Sequence, residues 1–198
     1  MFSENQLIDA CLSNNREVQK IFYMRYAPFL KGVCMRYEKD SDNVSDLLQE
    51  TFIKVFQNLS KFTKQGSFEG WLRRIAVNNC LDHLNKKKFA FSTNDSYEYS
   101  NILFEEIEDQ CIINQMLDLG FSKQMLIDVL HHLPVNYATV FNLYFIDEWS
   151  HLEISTYLNI TESLSRKWLF RAKDLVKKQL LIILDNTPKY QKSYATVS

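Results

Sequence analysis

The chain has 198 residues, 46% hydrophobic and 14% aromatic, enough to fill the core of one ordinary domain or of two small ones. Four glycines and three prolines are too few for a sandwich or barrel, which needs turn residues at short regular intervals, so an all-α chain is expected. The net charge of −1 hides a division: residues 1–88 hold 14 Lys+Arg against 10 Asp+Glu, residues 89–128 hold 1 against 8, and residues 129–198 hold 8 against 6.

In chain order, Leu7, Ile8, Cys11 and Leu12, and then Ile21, Phe22, Tyr26, Phe29 and Leu30, predict two helices that would pack on a third. That third helix is predicted from Val44 to Leu59, with Val44, Leu47, Leu48, Phe52, Val55, Phe56 and Leu59 in one apolar stripe. Its other side carries Asp46, Gln49, Glu50 and Lys54, which alone reads more readily as an ordinary solvated face than as a functional one. After KFTKQG, Ser67 is placed to cap a further helix over WLRRIAVNNCLDHLNKKK. Trp71, Leu72, Ile75, Ala76, Cys80, Leu81 and Leu84 would face inward, and Arg73, Arg74, Asn78, Asn79, Asp82, Asn85 and Lys86 to Lys88 outward. Aromatic, amide and cationic side chains in one segment suit unpaired DNA, whose phosphates attract the cations and whose bases stack or accept hydrogen bonds. A buried Trp71 with a solvated basic end fits the same pattern equally well.

The acidic middle opens on FSTNDSYEYSN and continues into LFEEIEDQ, which reads as a linker with a short helix. Beyond it, Ser150 and Glu153 form a capping box, and Ile154, Tyr157 and Leu158 give the helix they start a buried side. Asn159 stands where the chain must turn and tolerates a left-handed backbone, and Thr161 is a good N-cap for the next helix. In that helix Leu164, Trp168, Leu169, Ala172, Leu175 and Val176 make one stripe. The opposite side carries Arg166, Lys167, Arg171, Lys173, Lys177 and Lys178, with Asp174 the one acid between positions 166 and 178. The pair reads as a helix-turn-helix whose second helix could lie in a major groove while its flanks neutralise phosphates. Trp168, between Leu164 and Leu175, reads as core more readily than as a base contact.

Cys11, Cys34, Cys80 and Cys111 form no close pair and make no ligand pattern with the histidines, so reduced thiols are expected, with no metal site, cofactor or small-molecule ligand. The segment MFSENQLIDA lacks a basic stretch followed by an apolar one, and the run at 180–184 is too short to span a bilayer, so a cytoplasmic location is expected.

Three segments, DLLQETFIKVFQNL at 46–59, FEGWLRRIAVNNCLDHLNKKK at 68–88 and the stretch from Leu133 to Lys173, resemble in order the second and fourth conserved regions of bacterial sigma factors of the extracytoplasmic-function group. The resemblance implies two small helical domains joined by a flexible acidic linker: 1–88 as the region 2 domain, 89–121 as linker, 122–184 as the region 4 helix-turn-helix domain, and 185–198 as a tail. It implies a non-enzymatic subunit that directs core RNA polymerase to promoter DNA, docking through the clamp helices of the largest subunit and through the flap, and restrained by an anti-sigma factor. Asp46, Gln49 and Glu50 are then the polymerase-docking surface. Lys64, Phe68, Trp71, Arg74, Asn78, Asn79, Lys86 and Lys87 would recognise and melt the −10 element, and Thr161, Ser163, Arg166, Lys167, Phe170 and Arg171 would read the −35 element.

The pattern departs from the family at Glu148, Asn159 and Ser163, where glycine is frequent, at Ser165, where valine is common, and at Asn85, where arginine is frequent. None of these breaks a helix, but base preference does not carry over. Two other classes fit less of the chain. A conventional regulator would use 129–180 as its DNA-binding domain and 1–88 for sensing or dimerisation. A helical nuclease would need metal or acid-base groups gathered beyond Asp46 and Glu50.

Overall fold

The computed structural model describes residues 2–13, 15–86 and 122–186, and among them the secondary structure is helical, without a strand. The expected linker with its short helix, Lys87 and most of the expected tail lie outside the described residues. The chain divides into two compact units, residues 1–89 and 90–198.

In the first unit, α1 (Glu4–Leu12) starts at a capping box in which Ser3 and Gln6 satisfy each other's end of the turn. Asn15 caps α2 (Arg16–Met35) and Asp40 caps α3 (Ser41–Asn58), each accepting from two early backbone N–H groups. Pro28 lies inside α2, where it withholds one hydrogen bond from the carbonyl of Met24, a residue on the exposed side at 68% exposure. A short 3₁₀ turn (Leu59–Lys61) leads into the loop before α4 (Phe68–Lys86). As expected, Ser67 caps α4, its Oγ accepting from the Gly70 N–H at 3.2 Å.

Phe22 of α2 centres the core of this unit, with ring centroids 4.8 Å from Tyr26, 5.4 Å from Phe56, 5.9 Å from Phe68 and 6.4 Å from Phe52. Aromatic pairs at these separations add to the area they bury, and here they fasten α2, α3 and the start of α4 together. Leu12 and Ile21, expected inside, are 45% and 41% exposed, because α1 and α2 each bury a narrower stripe than their apolar residues could cover.

In the second unit, α5 (Lys123–His131) is capped by Ser122 and α6 (Val135–Phe141) begins after Pro134, a residue suited to a helix start. A π-helical turn (Asn142–Ile146) follows, and then α7 (His151–Leu158) and α8 (Glu162–Asn186). The capping box of Ser150 and Glu153 is present, Asn159 takes the left-handed conformation at φ 53°, and Thr161 Oγ1 accepts from the Leu164 N–H at 3.1 Å. Trp168 is 0% exposed, packed as a core residue. α8 runs through the apolar stretch at 180–184 to Asn186.

Candidate nucleic-acid interfaces

Asp46, Gln49 and Glu50 sit on α3 at i, i+3 and i+4, a spacing that puts them side by side on one helix face, and all three are exposed. The opposite face of α3, with Val44, Leu47 and Val55 no more than 2% exposed, is locked into the core. The acidic face is thus presented by a rigid helix.

The loop from Phe62 to Ser67 and the following helix divide the eight expected −10 residues into four groups, the fourth being the buried Phe68 and Asn79. Lys64, Arg74 and Lys86 are exposed, Trp71 and Asn78 are partly buried, and Lys87 lies outside the described residues. Trp71 packs its ring 5.6 Å from Phe68 and 5.5 Å from Phe62 and is left partly exposed. Asn78 Oδ1 is buried without a hydrogen-bond partner among the described residues.

Phe68 and Asn79 correct the expectation. Phe68 is 1% exposed, with Phe22, Tyr26, Phe62 and Trp71 packed round its ring. It supports the loop from beneath and does not reach a base in this conformation. Asn79 is 2% exposed, and its Nδ2 donates to the Leu47 carbonyl at 3.2 Å and to Thr51 Oγ1 at 3.1 Å. Thr51 Oγ1 in turn donates to the same carbonyl at 2.7 Å. Asn79 therefore ties α4 to α3. Sequence spacing assigned it outward because an amide on a basic helix looks like surface, and the hydrogen bonds that make its burial tolerable come from a different helix.

In the second unit, Thr161, Ser163 and Arg166 are exposed and Lys167, Phe170 and Arg171 are partly buried. The cap and first three turns of α8 thus offer hydroxyl and cationic groups from one rigid support. The basic side is less uniform than its sequence implies. Lys173 Nζ lies 5.5 Å from the Phe145 ring centroid in a cation–π contact, and burial lowers its pKa. Lys178 pairs with Asp174 at 2.8 Å and Arg166 with Glu162 at 3.6 Å. Beneath this surface Ser165 is 0% exposed, and its Oγ meets His151 Nδ1 at 2.8 Å. His151 was not among the expected residues, and its only sequence signal was its place just after the Ser150 cap.

No group of three or more His, Cys, Asp or Glu able to hold a metal ion occurs among the described residues. Nor is any described helix long and apolar enough to cross a membrane.

The geometry defines a two-unit helical protein with one exposed acidic helix face, one loop with an aromatic and amide flank, and one helix-turn-helix. Residues 22–90 match the family model for sigma-70 region 2, and residues 123–176 match that for sigma-70 region 4. The chain belongs to the sigma-70 family of RNA polymerase sigma factors, within its extracytoplasmic-function group. It is similar to the ECF RNA polymerase sigma factor SigW of Bacillus subtilis (strain 168), 29% identical over 163 residues, covering 78% of this chain and 84% of that one. It is also similar to the ECF RNA polymerase sigma-E factor of Haemophilus influenzae, 22% identical over 187 residues, covering 90% and 95%. Among solved structures, the fold resembles the sigma factor RpoE of Bartonella quintana in its co-crystal with the anti-sigma factor NepR. That match has a TM-score of 0.50 at 15% identity and covers 82% of this chain and 96% of that one.

Proposed function

We propose that this chain directs bacterial core RNA polymerase to specific promoters, placing its first unit on the −10 element and its second on the −35 element and assisting strand opening. One observation carries the reading: both family regions occur in order in one chain, each on its own compact unit with an exposed polar surface. Asp46, Gln49 and Glu50 dock on the clamp helices of the polymerase's largest subunit, and the second unit meets the flap. Trp71, Arg74, Asn78, Lys86 and Lys87 hold the melted non-template strand. Thr161, Ser163, Arg166, Lys167, Phe170 and Arg171 face the major groove.

The chain performs no chemistry of its own and acts in the cytoplasm, where it meets polymerase. Unstacking costs a few kcal/mol per step, which capture of a flipped base and polymerase contacts to the single strand offset. Each domain alone has a small footprint. Docking on polymerase fixes their separation and raises the effective concentration of the second contact. An anti-sigma factor that covers the docking faces restrains the free chain, a proposal supported by the complex in which the Bartonella quintana relative was solved.

Run-off transcription over a genomic library, with core polymerase in the presence and absence of the chain, tests this and reveals the promoters. Transcripts that depend on the chain support it. Tight operator binding by the purified chain, with no association with polymerase, would overturn it. Charge reversal at Asp46 and Glu50 should abolish co-purification with polymerase while the protein stays folded, and retained binding would remove that docking assignment.

A further inference from the structure

We propose that Asp9, on the first helix, is a positioning residue for the −10 recognition loop, which it holds in shape through Lys64. This rests on the reading of the 61–70 segment as the −10 loop. Lys64 Nζ lies 2.7 Å from Asp9 Oδ1 and 3.0 Å from Oδ2, so one ammonium spans both oxygens of a carboxylate 55 positions away.

The loop has need of such a holder. Lys64 has φ 58° and Gly66 has φ 81°. Glycine adopts a left-handed backbone freely, whereas a lysine there clashes through its Cβ and stays only if its surroundings fix it. The two ends of the loop are fixed by other means. At one end the Phe62 ring packs 4.9 Å from Phe68 and 5.5 Å from Trp71; at the other, Ser67 caps α4. Between them, residues 63–66 are exposed, and the Lys64 ammonium ties them to α1.

Asp9 can serve as the fixed end because α1 is rigidly seated. Leu7, Ile8 and Cys11 are 0%, 1% and 3% exposed, and the helix start is closed by its capping box. Lys64 thereby changes role. Its charge is already paired, so it shapes the loop that meets the strand, and phosphate neutralisation falls to its neighbours. The pair is partly solvated, at 45% and 57% side-chain exposure, so its effect is moderate and weakens with salt.

The test uses the full chain with core polymerase on a promoter it opens, following permanganate reactivity of the melted strand. Asp9→Asn and Lys64→Met should each slow opening about two- to fivefold with the initial footprint unchanged. The double variant should be no slower than either single one, and the swap D9K/K64E should restore the rate. Hydrogen exchange should quicken at 62–67 while α1 and α4 keep their protection. Asp9→Glu, which keeps the carboxylate, should retain most of the wild-type rate.

Additive losses would overturn the proposal, as would lost protection within α1 or a D9N variant that opens normally. So would a uniform fall in affinity for all DNA sequences confined to K64M, which would make Lys64 a phosphate contact. If Arg74→Ala slows opening and D9N does not, this proposal alone falls. If neither Arg74→Ala nor Asn78→Ala affects opening, the −10 reading falls and takes the proposal with it.

Discussion

His151 Nδ1 lies 2.8 Å from the hydroxyl of Ser165, and this buried contact joins the first helix of the helix-turn-helix to the second. The Tyr144 ring stacks on the imidazole at 4.7 Å, which closes the site from the side of the π-helical turn. The angle at which α8 presents Ser163 and Arg166 thus depends on a polar group that no DNA-facing residue reveals.

A pH dependence follows. Burial lowers the His151 pKa from its ordinary 6.5, the Arg166 charge lowers it further, and Glu162 opposes them. The folded state therefore favours the neutral ring. Its contribution is fully present above 6.5, the unfolded value, and is lost as pH falls through the lower folded value. The thermal midpoint of the second unit should drop as the medium is acidified from 6.5 down through the folded value and level off beneath it, and His151→Gln should flatten the slope. Circular dichroism melts across a pH series measure both, and an unchanged slope in the variant would place the titration elsewhere.

Asn79→Ala should cost about 1–3 kcal/mol of stability, because it removes the donor shared by the Leu47 carbonyl and Thr51 hydroxyl inside the core. Phe68→Ala should cost about 3–5 kcal/mol, as buried aromatic truncations do. Urea unfolding measures each. Charge reversals on the exposed α3 face should stay within about 0.5 kcal/mol of wild type, which separates core residues from docking residues in one experiment.

Glu148 and Asn159 both have positive φ, 59° and 53°, at two positions where glycine is frequent in the family. Glu148→Gly should stabilise the second unit by about 0.5–1 kcal/mol, the relief of a left-handed backbone less the entropy glycine loses on folding. Asn159→Ala should destabilise it by about 1 kcal/mol, since asparagine tolerates that conformation and alanine does not. Midpoints of thermal unfolding check the two signs.

Arg166→Ala or Lys167→Ala should weaken promoter binding by the holoenzyme by about 1–3 kcal/mol and relax preference at one −35 position if the side chain reads a base. A phosphate contact would instead lower the salt slope and leave preference intact. Trp168→Ala should lose binding by a different route, by unfolding the unit that its fully buried ring supports. Filter binding over a salt series, alongside a melt, tells these outcomes apart.

The sequence was legible wherever a local rule acts. Ser67, Ser150 and Thr161 announce helix starts because a cap bonds to backbone within three residues of itself. The apolar stripe of α3 fixes which way Asp46 and Glu50 point, since one face buried leaves the other to solvent. Leu12 and Ile21 show the limit: periodicity tells that a helix has an apolar side, and the width of the neighbouring helix decides how much of it is covered.

By itself, then, the chain determined the helices of its first unit, its helix-turn-helix and the charged faces of α3 and α8, because periodicity and capping are written into neighbouring residues, whereas α5, α6 and the π-helical turn emerged with the structure. Only the tertiary structure decided that Asn79 and Phe68 are interior, that His151 supports Ser165, and that Asp9 reaches Lys64 across 55 positions. Those facts rest on groups brought together by packing between helices, and the spacing of residues along one helix carries no record of its partner.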